Sequence, residues 1–415
     1  MATEPRNKVH GALTFDPATR GRLRLDGVLG LAGCPSGYVR LLGESQETFY
    51  TLERCFEKSR KGSVIGPPGF GVSTWSVGEV FTNVHFSADE EIAFDRMMFE
   101  LEDLASWLGR SGISADGMQS VDGTLVMQIE QRWLRRDAVA TDFGELDIMH
   151  NLGQRNRLPR ELTLWQSFGI RIELSTLVPK PELLDIASDL QDLVSMGIDR
   201  PSAYTKVVFS HPDAVEDADD PQSERVEIGH FGRWIVKDGA YEAPPTDVAF
   251  SYADIGNGPG LRSWLALAAE HRSTLARIMA VRRPTGMYSE ERLLNAVAAA
   301  EGLHRDLTNN SKETLKARLV QLAQLAGPRF EAAVGDVDMW SEFLKEERHE
   351  HAHNRSQRPA ANVDHYRQMA DSVYWLIVLC LLSQIPTARP AIERAVRSPG
   401  FDDMAATVTA MIGRL

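Results

Sequence analysis

Between Glu347 and Asn354 the chain reads ERHEHAHN, which places one guanidinium, three imidazoles and two carboxylates within eight residues. An imidazole titrates near neutral pH and can take or give a proton there, whereas a guanidinium stays charged and holds phosphate oxygens. Together they suit cleavage of RNA. His353 would take the proton from a ribose hydroxyl or return one to the leaving oxygen, and Arg348 would hold the phosphate and neutralise the charge that grows on it in the transition state. Such a reaction leaves a cyclic phosphate and a free hydroxyl end, and it asks for no metal and no other cofactor. Two other readings fit the same residues. One is an exposed helix end whose charges pair locally with Glu346, Glu347 and Glu350. The other is a zinc site on His349 and His353, which stand four apart on a helix, although no HExxH, CxxC or distant carboxylate motif completes it.

Helical spacing decides what these groups can meet. A helix over Val337 to about Glu350 places Trp340 and Leu344 on one face with Phe343 beside them, and the next turn of that face leads to Arg348. A second helix, from Ser289 to Asp306, carries Leu294 and Val297 toward Glu301 and His304. A guanidinium on a half-buried stripe needs an anion. The pattern therefore predicts that Arg348, Glu301 and the neighbouring histidines, His304, His349 and His351 among them, share one polar cleft in an otherwise apolar bundle.

An arginine, four further residues and a histidine near the end of a helix, followed by another long apolar helix, resembles the motif of HEPN domains, many of which are RNases of toxin and antiphage systems. The resemblance covers roughly Leu261 to Leu415. Over its whole length the chain resembles the ApeA family of bacterial antiphage proteins, which carry a HEPN domain behind a characteristic N-terminal domain. The segment VFTNVHFSADEEIAFDRMMFELEDLASWLG, Val80 to Gly109, is similar to the most recognisable part of that domain. The resemblance implies abortive infection by cutting host RNA, with tRNA the leading candidate, and a homodimer in which two copies of Arg348 and His353 share a site. It also places a residue, often Asn, after the motif arginine; here that position is His349, which keeps a hydrogen-bond donor. A restraining or sensing front domain that meets a phage-encoded trigger completes the implied scheme. A non-catalytic protein that dimerises and binds RNA or a partner is the alternative.

With 415 residues the chain exceeds one ordinary core, and the expected division is 1–257, a β-rich mixed domain, followed by 258–415, an all-α bundle, an α+β chain overall. Residues 1–257 hold 25 Lys and Arg against 40 Asp and Glu, a net of −15, while residues 258–415 hold 20 against 18, a net of +2. Arginines gathered in one cleft of the near-neutral part can still bind RNA. No basic and apolar leader opens the chain, and Val373 to Leu382 is too short an apolar run for the roughly 20 residues of a membrane span, so a cytoplasmic protein without a membrane partner is expected. Cys34, Cys55 and Cys380 are expected as reduced thiols.

In the front part, alternation at Leu125, Met127 and Ile129 and at Ile170, Ile172 and Leu174 predicts half-buried strands. A Ser87–Glu90 capping box with Phe94, Met97, Leu101, Leu104 and Leu108 behind it predicts a helix stopped by Gly109. Another helix is predicted from Pro181 to Met196, and an exposed loop from Pro212 to Glu224. Trp75, Trp107, Trp133, Trp165 and Trp234 read as core or rim packing, and the GPPGFG stretch from Gly66 as a turn. DIGNGPG, from Asp254, marks the change to helices. These are expected over Leu261–Val281, Ser289–Asp306, Lys312–Leu325, Val337–Glu350 and Val363–Ile385, with two shorter ones near the end.

Overall fold

Alternating apolar and polar side chains organise the front of the chain into antiparallel strands. The structure, a computed structural model, describes residues 8–16, 19–29, 37–62, 71–87, 90–115, 117, 119–121, 124–157, 161–217, 220, 223–232, 247–282, 287–310, 312–352 and 363–414. The first strands are β1 (Gly11–Thr14), β2 (Gly21–Leu25), β3 (Val39–Glu44), β4 (Phe49–Gly62), β5 (Gly71–Val77), β6 (Glu79–Thr82) and β7 (Ala93–Leu101). After the short helix α1 (Leu104–Leu108) come β8 (Ile113–Ala115), β9 (Gln119–Val121), β10 (Thr124–Val126), β11 (Ile129–Gln131), β12 (Asp137–Ala140), β13 (Gly144–Arg157) and β14 (Glu161–Pro179). Helix α2 (Lys180–Gly197) precedes β15 (Tyr204–Ser210) and β16 (Ile228–Phe231). Among the described residues, the main sheet runs β1-β2-β5-β4-β6-β16-β15-β7-β14-β13-β12, with β3 on β4; β10-β9 and β11-β8 are separate small ladders.

The predicted strand around Ile170 lies in β14, where Ile170 and Ile172 are buried and face Ile148 and Leu146 across the ladder. The other predicted strand is corrected. Leu125 and Ile129 fall in two different short strands, and Met127 and Ile129 are 55% and 41% exposed, so the alternation there does not mark a buried face. Helix α2 begins with Pro181 in its first turn, where a missing N–H costs nothing, and packs on β7 and β14.

The predicted helix over Ser87 to Leu108 is overturned for most of its length. Ser87 does receive its capping partner, its backbone N–H donating to Glu90 Oε2 at 2.9 Å, yet the chain then runs as strand β7, and only Leu104–Leu108 is helical before Gly109 ends it at φ 61°. All five stripe residues are buried, but so is Phe99. Met97, Phe99 and Leu101 form a period-two run, and pairing with β14 on one side and β15 on the other satisfies β7's backbone. The sheet's long-range hydrogen bonds win over a local helix signal.

From Asn257 onward the described elements are helices: α3 (Asn257–Arg282), α4 (Ser289–Thr308), α5 (Leu315–Ala326), α6 (Pro328–Val334), α7 (Val337–Ala352), α8 (Val363–Ser383), α9 (Arg389–Ala395) and α10 (Pro399–Ile412). Three details differ from the sequence reading. Helix α3 starts four residues before Leu261, because Pro259 tolerates the first turn and Gly260 lets the chain close on itself: a Cβ there would lie 1.8 Å from the Ile255 carbonyl oxygen. The Asn310–Glu313 pair forms, but the cap of α5 is Thr314, which accepts from the Ala317 N–H at 3.3 Å. Gly327-Pro328 starts a further short helix, α6, with proline at its N-terminus.

Val373 to Leu382 form the second half of α8, each no more than 1% exposed, as an apolar helix sheathed on every side should be. Helices α4, α5, α9 and α10 surround it, and α7 packs on α5 and α4. Among the described residues no helix is long and apolar enough to cross a membrane. One apolar cluster extends from the sheet into the bundle, joining residues such as Phe94, Phe209 and Leu193 to Trp264, Ile278 and Leu376. Polar ties cross the same seam: Trp264 Nε1 donates to the Asp189 carbonyl at 2.8 Å, and Arg272 pairs with the Asp189 carboxylate at 2.7 Å. Cys55 and Cys380 are buried free thiols, burial pushing the Cys55 thiol up to about 12, whereas Cys34 lies outside the described residues.

Candidate active site

Two helices bring the polar groups together. Glu301 sits in the second half of α4, and Arg348 in the last stretch of α7, where its Nη2 donates to Glu301 Oε2 at 2.8 Å. The other oxygen of the same carboxylate accepts from Arg318 Nη1 of α5 at 3.1 Å. One carboxylate therefore joins two guanidiniums and three helices. Arg318 is the inner cation, its side chain 5% exposed, and Arg348 the outer one, 42% exposed. Among the described residues, two guanidiniums pair with this one carboxylate. A guanidinium at a half-open position is suited to an added anion, since it has five N–H donors and Arg348 gives Glu301 only a part of them.

The buried stripe of α7 differs slightly from the predicted one. Trp340, Ser341, Leu344 and Glu347 face inward, so the position that breaks the apolar face is Glu347, and Arg348 stands one place round the helix at the rim. Glu347 accepts a hydrogen bond from the Tyr366 hydroxyl of α8 at 3.1 Å. Burial and the nearby Glu347 carboxylate push that hydroxyl up to about 12. The tie holds α7 to α8 just before α7 ends.

The predicted residues separate as follows. Arg348 and Glu301 meet. His304, one turn beyond Glu301, is buried, and its ring contacts are Gln321 Oε1 at 2.7 Å and Thr308 Oγ1 at 3.4 Å. His349 is exposed on α7. His353 and the side chain of His351 lie outside the described residues. Among the described residues, no three His, Cys, Asp or Glu side chains stand close enough to hold one metal ion. Arg318 and Glu347 were missed by the sequence reading. Arg318 carried a signal, because it lies in the first turn of α5 beside Leu319 and Leu322, on the stripe that packs inward.

A second polar cluster lies at the seam. Arg282, at the end of α3, pairs with Asp199 at 2.6 Å and Asp371 of α8 at 3.3 Å beside a cavity of about 350 Å³. Gly400 opposes it closely, since a Cβ there would lie 1.9 Å from Asp199 Oδ2.

These features define a class: an antiparallel sheet unit fused through a shared core to a helical bundle with a guanidinium–carboxylate notch. The profile of the family described as ApeA N-terminal domain 1 matches residues 2–264, and the chain belongs to that family. Its membership supports a place in antiphage defence. The match ends inside α3, so it covers the sheet unit and not the notch. No curated protein and no solved structure matches the chain.

Proposed function

We propose that the helical part is a HEPN-type, metal-independent endoribonuclease acting in antiphage defence by cutting host RNA, with tRNA its foremost substrate. The observation that carries this reading is the notch: Arg348 is half-exposed, oriented by Glu301, backed by Arg318 and placed five residues before His353. In this scheme Arg348 holds the scissile phosphate and His353 exchanges the proton with the attacking hydroxyl and the leaving oxygen. Glu301 fixes the direction of the guanidinium. His349 supplies a further donor at the rim. Two chains paired through their helical bundles would bring two such sets face to face, and the acidic sheet unit would hold the enzyme in check until a phage component meets it.

The test uses the full chain. Arg348→Ala and His353→Ala are each expected to lower RNA cleavage about 100-fold or more, with folding and RNA affinity little changed, and sequencing of the cut ends is expected to show cyclic phosphates. Chelator is expected to leave cleavage intact. Full activity in the His353→Ala chain, or RNA binding with no cutting by the unaltered protein, would overturn the reading in favour of a binding module.

A further inference from the structure

The hairpin of β13 and β14 continues well past the sheet that anchors it. Its register runs from Gly144 opposite Leu174 to Arg157 opposite Glu161, and only the half near Gly144 is flanked by β12 and β7. The segment from Gln131 to Leu134 lies beside the hairpin, and Arg136 beyond it pairs with Asp147 and Glu145. Gln131 Nε2 donates to the Gly153 carbonyl at 3.3 Å, the Leu134 N–H donates to His150 Nδ1 at 3.2 Å, and the Arg132 N–H donates to the Gly112 carbonyl at 2.8 Å.

This ribbon reverses the charge of the unit that carries it. Residues 127–136 and 149–166 hold six arginines against two glutamates, in a front part whose net charge is −15. Arg132, Arg135 and Arg155 are exposed, and Arg132 and Arg135 form no ion pair among the described residues. Two tryptophans accompany them. Trp133 is 69% exposed and Trp165 49%, unlike Trp75 and Trp107, which are buried as expected; Trp234 lies outside the described residues. Trp133 stands by the His150 ring, 6.0 Å between centroids. Trp165 lies across Gly153, where any Cβ would fall 2.1 Å from the indole. His150 and Gly153 are an odd number of residues apart, so the two indoles mark opposite faces of the ribbon.

An exposed indole beside unpaired guanidiniums is chemistry for a polyanion whose rings are free to stack. We propose that this ribbon is a binding site for single-stranded nucleic acid, its phosphates held by Arg132, Arg135 and Arg155 and its bases stacked on Trp133 and Trp165. A duplex does not fit the same chemistry, because its bases already stack on one another and show no open face to either indole. A flexible single strand can cross the two-stranded ribbon and offer one base to each side. The site is separate from the notch of Arg348 and does not rest on the reading given to it.

The experiment measures binding of a labelled single-stranded oligouridine and of a duplex RNA of equal length to the full chain carrying Arg348→Ala, which guards against cleavage without touching the ribbon. Expected are preference for the single strand, quenching of tryptophan emission, and a loss of about ten-fold or more in affinity when Trp133→Ala and Trp165→Ala are combined. Replacing both by Phe is expected to restore most of the affinity, which separates stacking from damage to the packing of Trp165 on Gly153. Arg132→Gln with Arg135→Gln is expected to reduce the slope of log affinity on log salt by about 0.7 for each phosphate no longer neutralised. Equal binding of duplex and single strand, or unchanged affinity in the double alanine chain, overturns the proposal. So does the absence of binding at low salt, which would make the ribbon a protein-docking face.

Discussion

Glu79 in the sheet unit and Asp199 at the seam with the helices are both partly buried carboxylates with cationic partners, yet their proton affinities move in opposite directions. Burial raises Glu79, but a hydrogen bond from His230 at 3.1 Å and the ammonium of Lys180 outweigh it and bring the group down to about 2. Burial also raises Asp199, and there it prevails: Arg282 pulls the group down, Asp371 beside it pushes it up, and the result is about 6. Asp371 is raised as well, again by burial first. What separates the two places is how many donors converge on the carboxylate. Where His230 and Lys180 both donate to one acid, the ionised form is held; where Asp199 and Asp371 lie together at Arg282, burial prevails for both. The Glu301 carboxylate likewise accepts from two side chains, Arg348 and Arg318.

The largest effect should come from removing the well-paired acid. Glu79→Gln leaves Lys180, 12% exposed, without its carboxylate, and a broken buried pair of this kind costs about 3–5 kcal/mol. Denaturant melts at pH 7 would show it, and a loss below about 1 kcal/mol would mean that solvent reaches the pair. The same group fixes an acid limb. Its folded value lies below the ordinary 4.5, so its contribution is present above pH 4.5 and disappears as pH falls toward 2, about 3 kcal/mol in total.

Asp199 should give the reverse slope. Its folded value is raised above the ordinary 3.8, so its contribution is fully present below that value and is lost as pH rises through about 6. In Asp199→Asn, Arg282 keeps Asp371 and the pH 4–6 decline should flatten. An unchanged slope in melts between pH 4 and 7 would remove Asp199 as its source and break the contrast with Glu79.

The sequence revealed much more of the helical part than of the sheet. Helix signals are local: apolar side chains spaced by three and four place α4, α7 and α8 within a few residues of where they lie. Strand β7 shows the limit, because its backbone partners come from β14, more than 60 residues on, and from β15, more than 100 on, and nothing near Phe94 announces them. The Arg348–Glu301 contact was legible for the same reason that the helices were: Glu301 follows the apolar stripe of α4, and Arg348 lies one place beside that of α7. Arg318 was harder to see, since a long stem lets arginine lie on an inward face without disturbing the pattern. The exposure of Trp133 and Trp165 was beyond the sequence altogether, as composition reports an aromatic ring but not whether the chain covers it.

The smallest expected effect on the fold comes from Glu301. In Glu301→Gln the shape and one acceptor oxygen remain and only the charge is lost. Arg318, 5% exposed, depends on that charge; Arg348, 42% exposed, has water in its place. The stability cost should therefore be about 1–2 kcal/mol, less than half of that for Glu79→Gln, and most of it should be coupling to Arg318. A double-mutant cycle separates the two arms: Glu301 with Arg318→Met should show strong coupling, and Glu301 with Arg348→Ala about 0.5 kcal/mol or less. Should the Arg348 arm prove the stronger, the outer guanidinium would be fixed structurally and have little freedom to turn toward a phosphate. A weak Arg348 arm together with a sharp fall in RNA cleavage would place the cost of Glu301→Gln in the orientation of Arg348 rather than in the fold.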